Sequence, residues 1–248
     1  MSAGTAQIIR VARVGSTMDA VHDLAQSGAP PGTVLVAGEQ TAGRGSRGRD
    51  WSSPSGGLWV SVLARPAAAA LELLSLRAGL ATVETLAPFV EGAELALKWP
   101  NDLMLGDLKT GGILCEARWS GATLAWVVIG LGLNVANGPD TGLQGMATNL
   151  SAVCPGLSAA ALAGPVIEAL RAVDAAAGPL SSGEQTRFAR RDWLAGRAVR
   201  GPVAGTADGI AADGALRVRR LDGAIVTVRS GTIVLAATPT PAELGPCS

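Results

Sequence analysis

Gly43-Arg44-Gly45-Ser46-Arg47-Gly48-Arg49-Asp50-Trp51-Ser52-Ser53-Pro54-Ser55-Gly56-Gly57 is the stretch on which the reading of the fold turns. Its first six residues satisfy G-x-G-x-x-G and follow an apolar run, Thr33 to Val36, so a dinucleotide-binding fold has to be considered. The context rejects it. Such a site needs its third glycine to open a helix and an acidic residue roughly 20 positions on, whereas Trp51 to Gly57 blocks a helix. What remains is a flexible loop with Arg44, Arg47 and Arg49 in six residues, closed by a tryptophan. Guanidinium forks bind phosphate oxygens bidentately, glycines let backbone N–H groups approach an anion, and an indole face can stack on a base. The plainer alternative is a solvated basic loop, which Trp51 weakens because an exposed indole without a partner is costly.

Outward from this loop the chain alternates. Ile8 to Val14 and Thr33 to Val36 read as strands on either side of a helix, Thr17 to Gln26, which Gly28, Pro30 and Pro31 close. Leu58 to Ala64 reads as a strand and Ala67 to Val90 as a long helix. Further strands are expected at Glu94 to Trp99, Gly111 to Arg118 and Thr123 to Val135, and helices at Ser158 to Ala177 and Gly183 to Leu194. From Arg197 the texture changes to short alternating runs, Leu216 to Leu221 and Ala224 to Arg229, with Asp-Gly pairs at Asp208, Asp213 and Asp222 as hairpin signals. The expected division is a larger α/β or α+β unit with a mixed sheet over residues 1–196, a small β-barrel-like domain over 197–236, and a Pro-rich tail over 237–248.

The chain has 248 residues, 48% hydrophobic and 16% charged, with 20 basic against 20 acidic side chains. That is enough apolar material for a sizeable core, and the charge balance disfavours disorder and a nucleic-acid-coating role. Cys115, Cys154 and Cys247 are too few and too odd in number for a disulfide framework, and no basic segment followed by an apolar stretch opens the chain, so a cytoplasmic protein is expected. The uncharged run Ser120 to Pro139 carries Asn134, Asn137 and several glycines, nearer a buried strand than a membrane span. Eighteen of the basic residues are Arg; the only lysines are Lys98 and Lys109. GC-rich coding accounts for the excess of Arg. Two surviving lysines still mark places where a wide planar fork cannot replace a compact point charge.

Three further features share the larger unit. Lys98-Trp99-Pro100-Asn101-Asp102 sets an amide beside a carboxylate, oxygen donors suited to Mg2+ and its waters, though Asn-Asp is equally a turn pair. Lys109-Thr110-Gly111-Gly112-Ile113-Leu114-Cys115-Glu116 places a lysine before two glycines and a buried strand. Gly130-Leu131-Gly132-Leu133-Asn134 puts glycines inside an apolar strand, where something thin and apolar can lie close, or where the core simply bulges. Together they describe a phosphate-binding loop, a divalent-metal turn, a compact cation and a glycine-walled slot. A nucleotide with a small, partly apolar carboxylic acid fills such a site, and the chemistry that joins them is adenylation.

With these residues in view the sequence resembles the biotin-protein ligases, matching in order Gly15-Ser16-Thr17, Glu39 to Gly45, Lys98 to Asp102, Lys109 to Glu116 and Gly130 to Asn134. The resemblance implies an α+β fold: a mixed-sheet catalytic domain of the class II synthetase type and a small C-terminal SH3-like barrel. It implies two half-reactions, in which biotin and MgATP give biotinyl-5'-AMP, and a lysine of a biotin carboxyl carrier domain then attacks the mixed anhydride. It assigns biotin to Ser16, Thr17, Met18, Gln40, Arg44, Gly45, Ser46 and Lys109, with Gly112, Leu114, Gly130 and Gly132 shaping the slot. Nucleotide falls to Arg44, Arg47, Arg49, Trp51, Asn101, Asp102 and Asn134, and Mg2+ to Asn101 and Asp102, through water or phosphate. Lys109 and Arg44 are the expected catalytic pair, because both can neutralise charge as carboxylate and α-phosphate approach; Lys98 ranks second, near the metal turn.

The chain departs from the pattern twice: Met18 stands where the family has Asn, and Ser46 where it often has Arg. Signatures that begin by Gly15 leave no room for an N-terminal DNA-binding domain, so a ligase without repressor activity is expected, acting as a monomer or weak homodimer, off DNA and off membranes. The nearest alternative is a lipoate-protein ligase, similar in fold. A thiol-dependent acyl transferase needs an activated cysteine, but Cys115 reads as a small core residue and His22 as a partly exposed helical one. A nucleic-acid-binding module conflicts with zero net charge and a barrel without interleaved aromatics.

Overall fold

The computed structural model describes residues 5–138, 145–175 and 178–236; the Pro-rich stretch from residue 237 onward and Cys247 lie outside the described residues. Strand β1 (Ile8–Val14), helix α1 (Thr17–Gln26) and strand β2 (Val34–Gln40) form a crossover with β1 parallel to β2. Then follow β3 (Leu58–Ala64), α2 (Leu71–Leu86), β4 (Leu95–Lys98), β5 (Asp102–Leu105), β6 (Leu108–Ser120) and β7 (Thr123–Leu133). Together the strands make a seven-stranded mixed sheet, ordered β1-β2-β3-β7-β6-β5-β4. Helices α3 (Ala159–Arg171) and α4 (Ser182–Ala189) precede five short strands, β8 (Ala198–Arg200), β9 (Gly205–Ile210), β10 (Leu216–Arg219), β11 (Ile225–Val228) and β12 (Val234–Leu235). These form a second, antiparallel sheet ordered β11-β10-β9-β8-β12.

Strand alternation sorts the large sheet into two faces. Val34, Val60, Val62, Ile129 and Leu133 join the core beneath α2 and α3, whereas Leu35, Ala37, Trp59, Leu63 and Val128 pack with Met18, Val21 and Ala25 of α1. In β7, Gly130 and Gly132 fall in alternation with Val128, on the α1 face. The slot opens there because a strand that carries leucine or isoleucine toward α2 carries hydrogen toward α1. The small sheet is packed onto the large one: Val199, Ile210 and Leu216 share one apolar cluster with Trp99, Leu97 and Leu103, and the Trp99 indole donates to Gly214 O at 2.9 Å.

Several expected boundaries move. The long helix starts later, after Pro66 and an Ala run without a side-chain cap, and gives way at Pro88 to a 3-10 turn, Ala87–Phe89. Helix α4 opens on a capping box between Ser181 and Glu184 but stops at Ala189, because the backbone beyond it pairs with β4: Leu97 N donates to Arg191 O and Trp193 N to Leu97 O. The metal turn is a hairpin connection, Lys98 paired with Asp102, into the unforeseen strand β5. The Asp208-Gly209 pair lies inside β9, where Asp208 accepts from Arg217 and Arg219 of β10; Asp213-Gly214 and Asp222-Gly223 fall in the connections between strands. No described helix is long and apolar enough to cross a membrane.

Candidate functional site

A cavity of about 260 Å3 opens on the α1 face between the Arg/Gly loop, the start of α1 and strands β6 and β7. The loop is folded back on itself: Trp51 N donates to Gly43 O at 2.9 Å and Gly45 N to Arg49 O at 2.7 Å. A Cβ at Gly43 would stand 2.4 Å from Trp51 O, so only glycine lets the two limbs meet. Closure brings the Trp51 indole down on Gly132, where a Cβ would stand 2.6 Å from Nε1. Met18 occupies the neighbouring position, its methyl 2.7 Å from where a Cβ of Gly130 would be.

Of the residues assigned to biotin, Ser16, Thr17, Met18, Gln40, Arg44, Gly45 and Ser46 wall one side, and Lys109, Gly112, Leu114, Gly130 and Gly132 the other. Of those assigned to nucleotide, Arg44, Arg49, Trp51 and Asn101 line the same cavity. Three are not in its walls. The Arg47 guanidinium donates to Thr232 Oγ1 and Gly231 O of the C-terminal unit. Asn134 is buried, bonded to Asn137 and to Thr148 O, and Asp102 stands behind Lys109. Asp50, Ile113 and Leu131, inside quoted motifs but given no role there, also line the cavity, as does Ser61 of β3, which lies outside every motif and is brought there by the strand pairing.

The polar wall is internally ordered. Gln40 Oε1 accepts from Thr17 N at 2.8 Å and Thr17 Oγ1 at 3.0 Å, while its amide nitrogen donates to Ser53 Oγ at 2.7 Å. Gln40 is therefore committed to orienting Thr17. Ser46 Oγ accepts from Arg49 at 3.1 Å, so this loop is tied within itself where the family pattern places an arginine. Among the described residues, Ser16 Oγ, Arg44 Nε and Trp51 Nε1 are buried polar atoms of this wall without a protein partner. Buried donors of that kind are costly unless a ligand or solvent meets them.

Both lysines are placed distinctively. Lys109 Nζ lies 2.5 Å from Asp102 Oδ1 and 5.1 Å from the centroid of the Trp51 ring. Lys98 sits 5.3 Å from the Trp193 ring, outside the cavity; burial lowers its pKa, against the attraction of Asp102 and helped by repulsion from Lys109. No group of three His, Cys, Asp or Glu among the described residues could cage a metal ion.

Sequence reasoning missed the group behind Arg44. Glu116 Oε2 accepts from Arg44 Nη2 at 2.7 Å, and the same nitrogen lies 3.1 Å from Asp19 Oδ1. His22, expected to be partly exposed, is 6% exposed and sits beside Glu116. Cys115, on β6, packs against the core, and burial pushes its thiol up to about 12, so no activated nucleophile is present at that position.

Residues 11–134, half of the chain, match the model of the biotin/lipoate A/B protein ligase family, and residues 196–236 that of the biotin protein ligase C terminal domain. The chain is 38% identical over 144 residues to the bifunctional ligase/repressor BirA of Bacillus subtilis, a match covering 56% of this chain and 44% of that one. It is 40% identical over 144 residues to the biotin--[acetyl-CoA-carboxylase] ligase of Mycobacterium tuberculosis, covering 55% and 52%. The chain spans about half the length of these relatives. Among solved structures, the biotin protein ligase of Aquifex aeolicus in complex with biotin and ATP superposes with a TM-score of 0.75 at 25% identity, over 93% of this chain and 99% of that one. The Leishmania major biotin protein ligase with biotinyl-5-AMP gives 0.61 at 27%, over 90% and 98%.

Proposed function

The chain belongs to the biotin/lipoate A/B protein ligase family, and on that premise we propose that it activates biotin with ATP and transfers it to a lysine of a biotin carboxyl carrier domain. The observation that carries the reading is the cavity itself. Its glycine, leucine and methionine lining fits a thin apolar ring system and chain, and Lys109 and Arg44 face the same space from opposite sides, where a carboxylate and a phosphate must meet. The biotin-bound and ATP-bound relatives support the choice of substrates.

In the first half-reaction a biotin carboxylate oxygen attacks the α-phosphorus of ATP in line, forming the acyl–phosphate bond and expelling pyrophosphate. Two anions repel as they approach, and Lys109 with Arg44 offsets that repulsion. Ser16, Thr17, Met18, Gln40, Gly45 and Ser46 position biotin against Gly112, Leu114, Gly130 and Gly132. Trp51 offers an aromatic face to adenine, and Arg49 and Asn101 reach the phosphates. In the second half-reaction the neutral amine of the carrier lysine attacks the acyl carbon, AMP departs with the bond electrons, and the amine proton passes to solvent.

Asn101 and Asp102 fit Mg2+ as it is usually held, by one or two carboxylate or amide oxygens with the substrate's phosphates supplying the rest. Asn101 lines the cavity, and Asp102 keeps one carboxylate oxygen beyond the one that Lys109 holds. Bound there, the ion would neutralise the departing pyrophosphate. Arg47 and Asn134 remain assigned to the nucleotide side, Arg47 from its position on the loop and Asn134 from behind the wall. The division at residues 196 and 197, an SH3-like C-terminal barrel, a cytoplasmic setting with free Cys115 and Cys154, and a monomer or weak homodimer complete the proposal.

Incubation with biotin, MgATP and an isolated carrier domain tests it by mass spectrometry. The expected result is one biotinyl addition on a single lysine. A carrier domain of unchanged mass would overturn the proposal.

A further inference from the structure

Arg44 faces the cavity, yet one end of its guanidinium is fixed outside it. Nη2 is held by Glu116 and Asp19, which leaves Nε, buried and without a protein partner, as a donor at the wall. Where Nε points is set by which carboxylate oxygen holds Nη2. Glu116 has a second suitor, since Arg118 Nη1, on the solvent side and half exposed, lies 3.6 Å from the same Oε2. A carboxylate between two arginines can swing to either.

His22 adds a third contact to that oxygen, Nε2 to Oε2 at 3.3 Å. The other ring nitrogen settles which role Nε2 plays. Trp126 Nε1 stands 2.9 Å from His22 Nδ1, and an indole N–H can only donate, so Nδ1 must present its lone pair. A neutral imidazole with an accepting Nδ1 carries its hydrogen on Nε2, which therefore donates to Glu116. The result is a directed series, Trp126 to His22 to Glu116, ending on the carboxylate that receives Arg44. The first three sit on β7, α1 and β6, whereas Arg44 sits on the loop, so the series ties the loop to the sheet.

We propose that His22 is a positioning residue for Arg44: locked by Trp126 into one neutral tautomer, it supplies the hydrogen bond that keeps Glu116 on Arg44 rather than on Arg118. Glu116 is held below the ordinary carboxylate range first by the His22 hydrogen bond and then by Arg44, against the opposing effect of burial. A merely structural histidine would fill the space under α1 equally well as leucine. A positioning one must donate at Nε2 and accept at Nδ1.

The inference rests on the proposed role of Arg44 toward biotin and nucleotide, and the test separates the two. His22 is the chain's only histidine, so a long-range proton–nitrogen NMR correlation on untagged protein reports its tautomer without assignment or substrate. The expected spectrum at pH 7 is the neutral form protonated at Nε2; an imidazolium or an Nδ1-protonated ring would overturn the proposal. Trp126→Phe should admit the second tautomer, and an unchanged spectrum there would count against it. His22→Leu should raise the KM for biotin and slow adenylate formation, each by about tenfold, the usual scale for one hydrogen bond to a charged group. His22→Gln, whose amide can donate to Glu116 and accept from Trp126, should recover most of the loss. Wild-type kinetics in a folded His22→Leu protein would refute the positioning role. Absence of biotin-dependent turnover in the wild-type chain would instead defeat the functional reading, with the tautomer still deciding the lock.

Discussion

Lys109 Nζ is paired with Asp102 Oδ1 at 2.5 Å, which joins the first residue of β5 to the start of β6 behind the cavity wall. The carboxylate and the Trp51 face hold the ammonium where it can meet an incoming anion. Lys109→Ala is expected to cut adenylate formation by about 10² to 10³, the usual loss when one preorganised charge is removed. Lys109→Arg should recover little, because the guanidinium must displace Asp102 or Trp51. Single-turnover formation of acyl-adenylate measures both, and full activity in the arginine variant would refute the account of the two lysines.

The two glycines of β7 should respond unequally. A Cβ at Gly132 would stand 2.6 Å from the Trp51 indole nitrogen and 2.8 Å from Cε2, and the ring is locked in place by the loop. A Cβ at Gly130 would crowd the methyl end of Met18, which can swing aside, and would touch Leu114 O and Ser61 Oγ at ordinary contact distances of 3.4 and 3.5 Å. Gly132→Ala is expected to raise the KM for ATP by about tenfold or more, at roughly 1.4 kcal/mol per decade. Gly130→Ala should mainly weaken biotin. Substrate titration of both variants checks the division, and equal effects on both substrates would contradict it.

Much of this site could be read from residue order. Strand β1, helix α1 and strand β3 fall where apolar spacing and the Gly28 stop place them, and the glycine pairs of β6 and β7 stand out because glycine inside an apolar strand demands a reason. Strand β5 was not legible: Asp102-Leu103-Met104-Leu105 is too short to show alternation, and Asn101-Asp102 reads as a turn, which it also borders. The partners of Arg44 were hidden for a different reason. Asp19, His22 and Glu116 come together only after α1 packs on β2, β3 and β7 beside β6, and no local pattern encodes a contact spanning 94 residues, the separation between His22 and Glu116. Arg47 reads as a loop cation near phosphate, yet the connection between β11 and β12, 184 and 185 residues along, supplies its hydrogen-bond partners.

Helix α4 carries a stabilising carboxylate. Glu184 is lowered from 4.5 to about 2, chiefly by its hydrogen bond from Arg77 and, against desolvation, by its capping contacts with Ser181. A carboxyl whose folded value lies below its unfolded one adds stability above the unfolded value and loses it as pH falls toward the folded value. Glu184→Gln should therefore destabilise the protein at pH 7, by on the order of 2 kcal/mol. The difference from wild type should shrink as pH is lowered from 4.5 toward 2. Denaturant melts across that range measure it, and a pH-independent difference would contradict the assignment.

Cys115 should be chemically quiet. With its thiol pushed up to about 12 by burial, almost no thiolate exists near neutral pH, and alkylation of its peptide by iodoacetamide should be far slower than that of a free model thiol. Cys115→Ser should retain acyl-adenylate formation. Rapid modification with loss of activity would revive a thiol-transfer chemistry.

Isotope exchange between pyrophosphate and ATP, run with biotin, lipoate or octanoate as the acid, tests the central claim most directly. It reports reversal of the first half-reaction alone, independently of any carrier domain. The structure leads us to expect exchange that requires biotin and Mg2+ and is absent with lipoate. Equal or faster exchange with lipoate, or exchange that ignores the added acid, would contradict it.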